Sequence, residues 1–504
     1  MTNEKKTKQQ KIKTCFDNEK YLKLQSESLN KKIKKFHNKL YLEFGGKLFD
    51  DLHAARVLPG FDPNIKIKLL QKMKDKAEII FCISANDIEK NKIRADLGLS
   101  YGDEVLRLVD NMRDLGLYIS SFVVTLYKGQ PTAQKFAKHL EQRGEKVYFH
   151  SYTKGYPNDL DTIVSDEGYG ANPFIETSRP LVVVTAPGPS SGKLATCLSQ
   201  LYHEYKNGVK AGYAKFETFP VWDLPLKHPI NIAYEAATAD LQDINQIDPF
   251  HFNAYGKLCV NYNRDVEAFP ILQNILTKIT GKEIYKSPTE MGVNIISQAI
   301  VDEKAAQTAA KKEILRRCYK AECDYKRGRI SFETLQRNKD LVHEAKVTKK
   351  ILPVIDIARE TSKTSNYPAI ALKLPSGEVV TGKTKNVVSA SAAVVLNALR
   401  TLAGLGDDFD VISDDILLPI IDYRVNVLKS QTSVLTVDDV LVALSISANK
   451  NDKAKKAISQ ISKLAGCDAH CTYILYKAEE QTLKKLGINV TCEPVFLNSK
   501  LFDN

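Results

Sequence analysis

Short runs of strand-forming residues alternate with helical segments between residues 40 and 216. The runs are LYLEF (40–44), AEIIFCIS (77–84), YISSFVVTLY (118–127), KVYFHSY (146–152), PLVVVT (180–185) and VKAGYAKF (209–216). Segments with helical periodicity, such as PTAQKFAKHLEQRG, separate them. This alternation is typical of a parallel sheet covered by helices. The sequence therefore predicts the α/β class, with a Rossmann-like N-terminal region.

Changes in composition divide the chain into four parts. The predicted parts are a disordered basic tail (1–13), an α/β ligand-binding region (14–300), a charged, Ala-rich helical connector (301–352) and a smaller α/β domain (353–504). The second part can also be interpreted as two Rossmann-like halves, 14–175 and 176–300. A break near Gly328 is expected to divide the connector into two helices.

The net charge of +12 lies mostly in the amino-terminal arm, where the first 39 residues contain 12 Lys and 4 acidic residues. The rest of the chain is nearly balanced, so nucleic acid is a minor hypothesis. The sequence has no apolar run of about 18 residues and no secretory signal at its start. Nine cysteines, an odd number, fit reduced thiols better than disulfides. We therefore predict a cytoplasmic protein without a membrane span.

Two stretches resemble the Walker A phosphate loop, Gly-x-x-x-x-Gly-Lys-Ser/Thr. GEVVTGKT (377–384) matches every letter, but the residues between its two glycines form strands readily and the turn PSG (375–377) begins at Pro375. A phosphate loop instead needs a strand, a glycine-rich turn and then a helix. We therefore interpret this match as one arm of a β-hairpin.

The second stretch, TAPGPSSGKLAT (185–196), has the required order of strand, turn and helix. Lys193 is expected to begin the helix, so that its ammonium and the amides of Ser191 and Gly192 converge on one anion. Gly188 belongs to the same turn, and Thr196 follows in the first turns of the helix. A nucleotide is one ligand that such a site could hold.

Departures from the pattern limit the chemistry at this turn. Pro187 replaces the first glycine, and Leu194 replaces the Ser or Thr that would hold Mg²⁺. Ordinary ATP hydrolysis is therefore not implied, and the need for Mg²⁺ is left open.

The same turn spells Gly188-Pro189-Ser190-Ser191-Gly192, a G-x-S-x-G elbow. Such an elbow could present Ser190 as a nucleophile between strand and helix. The acid and base would have to come from downstream, and Asp248 with His251 are the candidates. A serine hydrolase is therefore an alternative function, and a tight turn without chemistry is another.

Longer blocks of the sequence resemble a bacterial family of uncharacterised proteins of about this length, from residue 14 to the end. The blocks are FDNEKYLKLQSE, YLEFGGKLFDDLHAARVLPGF, TAPGPSSGKLATCLSQLYHEY, YAKFETFPVWDLPLKHPINIAYEAATADL, IDPFHFNAYG, VNYNRDVEAFP and YKSPTEMGVN. The resemblance implies no activity. The turn resembles the family pattern A-P-G-P-x-S-G-K, with glycine common where Ser190 stands, which favours an anion site at Ser191, Gly192 and Lys193.

The block NYNRDVE (261–267) is too polar for a strand and contains Arg264 and Asp265. An arginine beside carboxylates suits phosphate clamping or acid–base work, and a solvated ion-paired loop is the alternative. Asp248 is readily explained as a helix N-cap, which leaves His251 unexplained. His251, Arg264 and Asp265 are our catalytic candidates, with His251 or Asp265 moving a proton.

A second strand-glycine-helix sequence, Gly45-Gly46-Lys47, follows LYLEF. It predicts a second anion site facing the first, although a double glycine is more often only a tight turn. Cys467, His470 and Cys471 are too few for a zinc site, so we assign no metal ligands.

Three functions follow from these residues. The first is a phosphate-handling enzyme, such as a transferase or ligase, acting on an anionic small molecule. The second is the serine hydrolase, and the third is a ligand-sensing or scaffold protein without turnover. The sequence leaves the oligomeric state open, a homo-oligomer included.

Overall fold

The computed structural model describes residues 14–94, 98–217, 219–293, 295–384, 387–406, 412–430 and 432–497. The chain divides into two compact units. The larger unit contains residues 14–235 and 243–307, and the smaller one contains residues 236–242 and those from 308 onward. The predicted basic tail (1–13) lies outside the described residues.

Strands and helices alternate along the larger unit, as the sequence predicts. The strands are β1 (Leu40–Phe44), β2 (Ala77–Ser84), β3 (Ile119–Thr125), β4 (Val147–Phe149), β5 (Leu181–Thr185), β6 (Gly212–Phe216), β7 (Asn245–Ile247), β8 (Val260–Tyr262) and β9 (Gly292–Val293). The helices are α1 (Asn18–Lys35), α2 (Leu52–Val57), α3 (Ile65–Lys72), α4 (Ala85–Glu89), α5 (Tyr101–Asp114), α6 (Pro131–Gln142), α7 (Leu160–Ile163), α8 (Lys193–Lys206), α9 (Pro229–Ala237), α10 (Pro249–Tyr255), α11 (Asn263–Thr280) and α12 (Pro288–Met291).

Seven strands form one sheet in the order β4-β3-β2-β5-β1-β6-β9. Every neighbouring pair is parallel, which confirms the predicted α/β class. Without β1, the order is that of a Rossmann sheet, 3-2-1-4-5-6, so β1 is an extra strand inserted between the fourth and fifth. Strands from both predicted halves, 14–175 and 176–300, are therefore neighbours within a single sheet.

Burial on both faces explains why the central strands read as continuous apolar runs. All residues of β2 and β5 are buried, as expected for a parallel sheet covered on both sides. Helix α8 covers the face that carries Tyr41 and Glu43, since the Tyr41 hydroxyl donates to Glu204 of α8 (2.7 Å). On the opposite face, the rings of Phe44 and Phe216 stack with centroids 4.2 Å apart. The charged side chain of Glu43 therefore lies on the α8 side.

The smaller unit is mainly helical, with a mixed sheet. Its elements, starting from the helix that enters it, are α13 (Glu303–Lys326), α14 (Phe332–Glu344), α15 (Val354–Ser365), β10 (Ala369–Lys373), β11 (Val379–Lys383), α16 (Ala390–Leu402), α17 (Asp414–Asp422), α18 (Val437–Ser447), α19 (Asp452–Ile458), β12 (Asp468–Cys471), α20 (Lys477–Lys485) and β13 (Asn489–Cys492). The sheet order is β11-β10-β12-β13, and only β12 and β13 are parallel. This confirms a smaller α/β domain with a mixed sheet. Helices α13 and α14 cover most of the charged segment 301–352, and from residue 308 onward they belong to the smaller unit.

The perfect Walker A match at 377–384 is one arm of a hairpin. Its residues Val379–Lys383 form β11, which pairs antiparallel with β10. A β-carbon on Gly382 would lie 2.2 Å from the backbone nitrogen of Val394 in α16. Glycine stands here because a helix crosses the strand closely, and the hairpin interpretation is confirmed.

The cysteines lie mostly in the interior of the protein. All nine cysteines have free thiols, and eight of them are buried. None of the helices within the described ranges is long and apolar enough to cross a membrane.

Candidate functional site

The carboxyl ends of the strands β2, β5, β1 and β6 lie side by side at one end of the parallel sheet. The chain leaves β2 toward β3 and leaves β5 toward β6, so the two connections diverge between β2 and β5. Open parallel sheets bind ligands at such a reversal, outside the carboxyl ends of the strands. The two glycine turns predicted as anion sites follow β5 and β1, so both lie at this end of the sheet.

The turn between β5 and α8, residues 186–192, is anchored to β3, which is separated from β5 by β2 in the sheet. The Thr125 hydroxyl donates a hydrogen bond to the Ser191 carbonyl oxygen (2.8 Å), and Ser191 Oγ donates to the Gly188 carbonyl oxygen (2.8 Å). Gly192 has a φ of 78°. A β-carbon there would lie 2.8 Å from Thr125 Cβ, so only glycine fits this left-handed position.

The backbone N–H groups at the start of α8 have no hydrogen-bond acceptor in the described part of the chain. They belong to Ser191, Gly192 and Lys193. The first bond that closes the helix runs from the amide of Thr196 to the Gly192 carbonyl oxygen (2.9 Å). Free amides at a helix N-terminus carry partial positive charge and attract anions. The predicted helix start at Lys193 is confirmed.

The Lys193 side chain is half-buried and forms no ion pair with any residue that the structure describes. Burial raises the pKa of the Cys82 thiol to about 12, and the nearby Lys193 ammonium opposes that rise. It opposes the rise at Cys197 in the same way. Cys82 lies on β2 and Cys197 on α8, so the ammonium lies beside the point where the connections diverge. A half-buried cation without a counterion favours binding of an anion.

Thr196 and Ser190 lie in different surroundings although both follow β5 closely. Thr196 is fully buried, and its hydroxyl donates to the Gly192 carbonyl oxygen (3.0 Å) while accepting from Cys82 Sγ (3.4 Å). Ligand contact by Thr196 would require both bonds to break. Ser190 is exposed, with a φ of 55°, and no imidazole of the described chain hydrogen-bonds to it. The predicted elbow thus has its strained backbone but lacks an adjacent base.

His251 forms its side-chain hydrogen bond with Ser287. The distance from His251 Nδ1 to Ser287 Oγ is 2.8 Å, and Ser287 is buried as the N-cap of α12. Asp248 is the N-cap of α10, as predicted, and accepts from the backbone N–H of His251 (3.0 Å). Burial lowers the pKa of His251. The structure therefore does not bring Asp248, His251 and Ser190 together as a catalytic triad.

The second glycine turn, Gly45-Gly46-Lys47, follows β1 at the same end of the sheet. The Gly45 amide donates to the Phe216 carbonyl oxygen (3.0 Å), which extends the pairing of β1 with β6. A β-carbon on Gly46 would lie 2.9 Å from the buried Nζ of Lys66. Lys47 is exposed. One of the two glycine amides is thus already used by the sheet, and a buried ammonium lies beneath the turn.

Asp265 lies at the end of β6, in a cluster that the sequence did not predict. Lys215 Nζ lies 2.5 Å from Asp265 Oδ1 and 2.7 Å from Glu217 Oε1. Lys215 pairs in register with Glu43 on β1, and the Tyr213 hydroxyl donates to Glu43 (2.7 Å). Two strands and the first turn of α11 therefore place one lysine among three carboxylates.

Arg264 does not join this cluster. Its guanidinium pairs with Asp243 (3.3 Å), and 56% of its side chain is exposed. The block NYNRDVE (261–267) is not a loop. Its first two residues belong to β8, which ends at Tyr262, and the others begin α11 at Asn263. The expectation that this block is too polar for a strand was wrong for Asn261 and Tyr262, which pair with β7.

Metal ligation finds no support in the ranges that the structure describes, where no three His, Cys, Asp or Glu side chains are placed to hold an ion. A phosphate group would instead meet the amides of Ser191, Gly192 and Lys193 together with the Lys193 ammonium.

Comparison with known proteins identifies relatives along nearly the whole chain. Residues 14–346 match the family described as "Domain of unknown function DUF1846, N-terminal", and residues 350–502 match its C-terminal counterpart. The chain is 54% identical to a UPF0371 protein of Clostridium tetani (strain Massachusetts / E88) over 98% of this chain and 100% of the relative. It is 53% identical to a UPF0371 protein of Clostridium botulinum (strain Langeland / NCTC 10281 / Type F) over 97% of this chain and 99% of the relative.

Proposed function

Since this chain belongs to the DUF1846 family, a bacterial family of unknown function, we propose a function from its site: it binds an anionic small molecule at the turn between β5 and α8. The ligand is a nucleotide or a phosphorylated metabolite. Binding takes place in the cytoplasm, in keeping with nine free thiols.

The observation that supports this proposal most directly is the half-buried Lys193 without an ion-pair partner among the described residues. It lies beside three backbone amides that lack acceptors. An anion would satisfy both deficits at once, because phosphate oxygens accept bonds from amides and ammonium groups together. The position beside the divergence of β2 and β5 is where Rossmann sheets hold phosphates.

The reaction class that we favour is phosphate handling by a transferase or ligase. Lys193 holds the negative charge of the ligand. Asp265 lies beside the carboxyl end of β6, where it contacts Lys215, and it is our candidate for moving a proton. Leu194 occupies the position of the Mg²⁺-binding hydroxyl, so a ligand-sensing or scaffold protein is the alternative without turnover.

A thermal-shift screen of nucleotides and phosphorylated metabolites tests the binding site. A ligand at about a hundred times its Kd should stabilise the wild type by about 2.7 kcal/mol. Lys193→Ala should lose most of this stabilisation, because the counter-charge for the phosphate is gone.

Lys383→Ala is the matched control, since Lys383 is the lysine of the hairpin that matches the Walker A pattern. It should keep the full ligand-induced shift. The proposal is wrong if no compound stabilises the wild type or if both variants lose the shift equally.

A covalent probe distinguishes the serine hydrolase from the phosphate-handling enzyme. The hydrolase alternative rests on the exposed Ser190, whose φ of 55° is in the left-handed region. Labelling by a fluorophosphonate that disappears in Ser190→Ala would favour a serine hydrolase. Turnover of a screened ligand that is unaffected by Ser190→Ala would favour the phosphate-handling enzyme.

A further inference from the structure

A cleft lies at the carboxyl end of β6, with charged groups and aromatic walls together. Lys215, Glu217 and Asp265 line it, and Phe219, Trp222 and Met291 provide apolar walls. Clefts that combine apolar walls with a few convergent polar groups are typical of small-molecule sites. Of its charged residues, only Asp265 is a candidate from the sequence.

The charges of this cluster affect the pKa values of Glu217 and Lys215 differently. Burial raises the pKa of Glu217 to about 7; Lys215 opposes this rise, and the carboxylates of Asp265 and Glu43 add to it. Burial would lower the pKa of Lys215, but Asp265 and Glu217 together raise it above its ordinary value. Near neutral pH, Lys215 therefore keeps its charge while Glu217 gains and loses a proton.

Asp265 holds the lysine in place and leaves one oxygen unused. Its Oδ1 contacts Lys215 Nζ at 2.5 Å. Its Oδ2 is buried and has no hydrogen-bond partner among the residues described. Buried carboxylate oxygens are normally hydrogen-bonded, so a donor group of a ligand would complete this site.

We propose that this cleft is a proton-transfer centre, in which Glu217 exchanges a proton with a bound ligand while Lys215 faces the charge that develops. The Glu217 carboxylate accepts the proton of a ligand O–H group, and the electron pair of the broken bond stays on the ligand oxygen. The Lys215 ammonium stabilises that oxygen, and the carboxyl group returns the proton afterwards.

If the ligand also occupies the proposed phosphate site, the position of the cleft limits its size. Only β1 separates β5 from β6, so the turn before Lys193 and the Lys215 cluster are two strand spacings apart, roughly 10 Å. A phosphorylated metabolite with a hydroxyl group at that distance from its phosphate, as in a nucleotide or a long sugar phosphate, spans both.

Trp222 allows a test without any ligand, because it lines the cleft and is the single tryptophan of the chain. Its fluorescence should change with pH in one transition with a midpoint near pH 7, the pKa of Glu217. Glu217→Gln should abolish this transition.

Other titrating groups near the reporter need a control. The His251 ring lies near the reporter, with its centroid 6.4 Å from that of Trp222. The charged residues Lys215, Asp265 and Glu43 surround Glu217. His251→Asn should therefore keep the transition. A transition that persists in Glu217→Gln, one that is lost in His251→Asn, or no transition in the wild type between about pH 5.5 and 8.5 would each overturn the proposal.

A ligand found in the thermal-shift screen extends the test. Its affinity should depend on pH through the same midpoint, and Glu217→Gln should remove that dependence while Lys193→Ala lowers affinity at every pH. If the screen finds no ligand but the Trp222 transition behaves as expected, the phosphate site fails and the proton-transfer centre stands.

Discussion

Replacing Asp51 with asparagine should lower the free energy of unfolding by about 3–5 kcal/mol at neutral pH. Asp51 Oδ2 lies 3.1 Å from Lys66 Nζ, and the exposed fractions of the two side chains are 12% and 2%. Asparagine can still cap α2, but it leaves the buried ammonium without a counter-charge. Urea unfolding at pH 7 measures the loss.

The pH dependence of this loss has a fixed sign. Burial raises the pKa of Asp51, but the charge and hydrogen bond of Lys66 outweigh burial and hold it below its ordinary value of 3.8. The stability from ionised Asp51 is therefore complete above that value and is lost as pH falls through the lower pKa of the folded state. The difference in the free energy of unfolding between the wild type and Asp51→Asn should become smaller only in strong acid.

Glu176→Gln is the control for Asp51→Asn. Glu176 pairs with Lys146 at 4.0 Å, but both side chains are mostly exposed. Exposed ion pairs contribute about 0–1 kcal/mol, so this variant should unfold almost like the wild type. Equal losses in the two variants would show that burial of the Lys66 ammonium is not what makes Asp51 important.

Replacing Lys215 with methionine should lower the free energy of unfolding by about 3 kcal/mol near pH 8. The variant places two carboxylates, Glu217 and Asp265, in a cleft without their shared cation. The exposed fractions of the three side chains lie between 15% and 26%, so solvent screens them only in part. Urea unfolding at two pH values measures the effect.

The loss in Lys215→Met should be smaller near pH 5.5. The pKa of Glu217 in the folded wild type, about 7, is above its ordinary value of 4.5. The stability that its proton contributes is complete below about 4.5 and is lost as pH rises through 7. Glu217 is thus already protonated at the lower pH, and only Asp265 lacks a partner there.

The double variant Lys215→Met/Glu217→Gln separates the contributions. Removing the second charge should recover about 1–2 kcal/mol near pH 8 and weaken the dependence on pH. An equal loss at both pH values in Lys215→Met, with no recovery in the double variant, would contradict a titrating Glu217 and point to lost packing instead.

The architecture of the larger unit could be predicted because its strands are buried on both faces. Runs such as LVVVT in β5 are apolar throughout, and the helices between them have clear periodicity, so the parallel sheet follows from local patterns. The sequence did not indicate the short strands β7, β8 and β9, because NQI, VNY and GV are not part of longer runs of strand-forming residues. The order of the strands, with β1 between β5 and β6, depends on contacts far apart in sequence.

The turn that we propose as a phosphate site could be predicted in part, because its residues are consecutive in the chain. Gly188 to Lys193 carry their own turn and helix start, and the structure confirms that local arrangement. The context also showed that GEVVTGKT is a hairpin despite its matching letters. The candidates His251 and Arg264 instead contact Ser287 and Asp243, partners that no local pattern indicates.

The sequence by itself determined the longer strands and helices, because the spacing of apolar residues and the turn residues specify local structure. Only the tertiary structure decided which charges meet. Lys215 and Glu217 look like ordinary polar positions at the end of a strand, and Asp265 lies about 50 residues further along. Their meeting depends on the register of β6 against β1 and on where α11 starts, and electrostatic energies depend on those distances and on burial, neither of which a linear pattern contains.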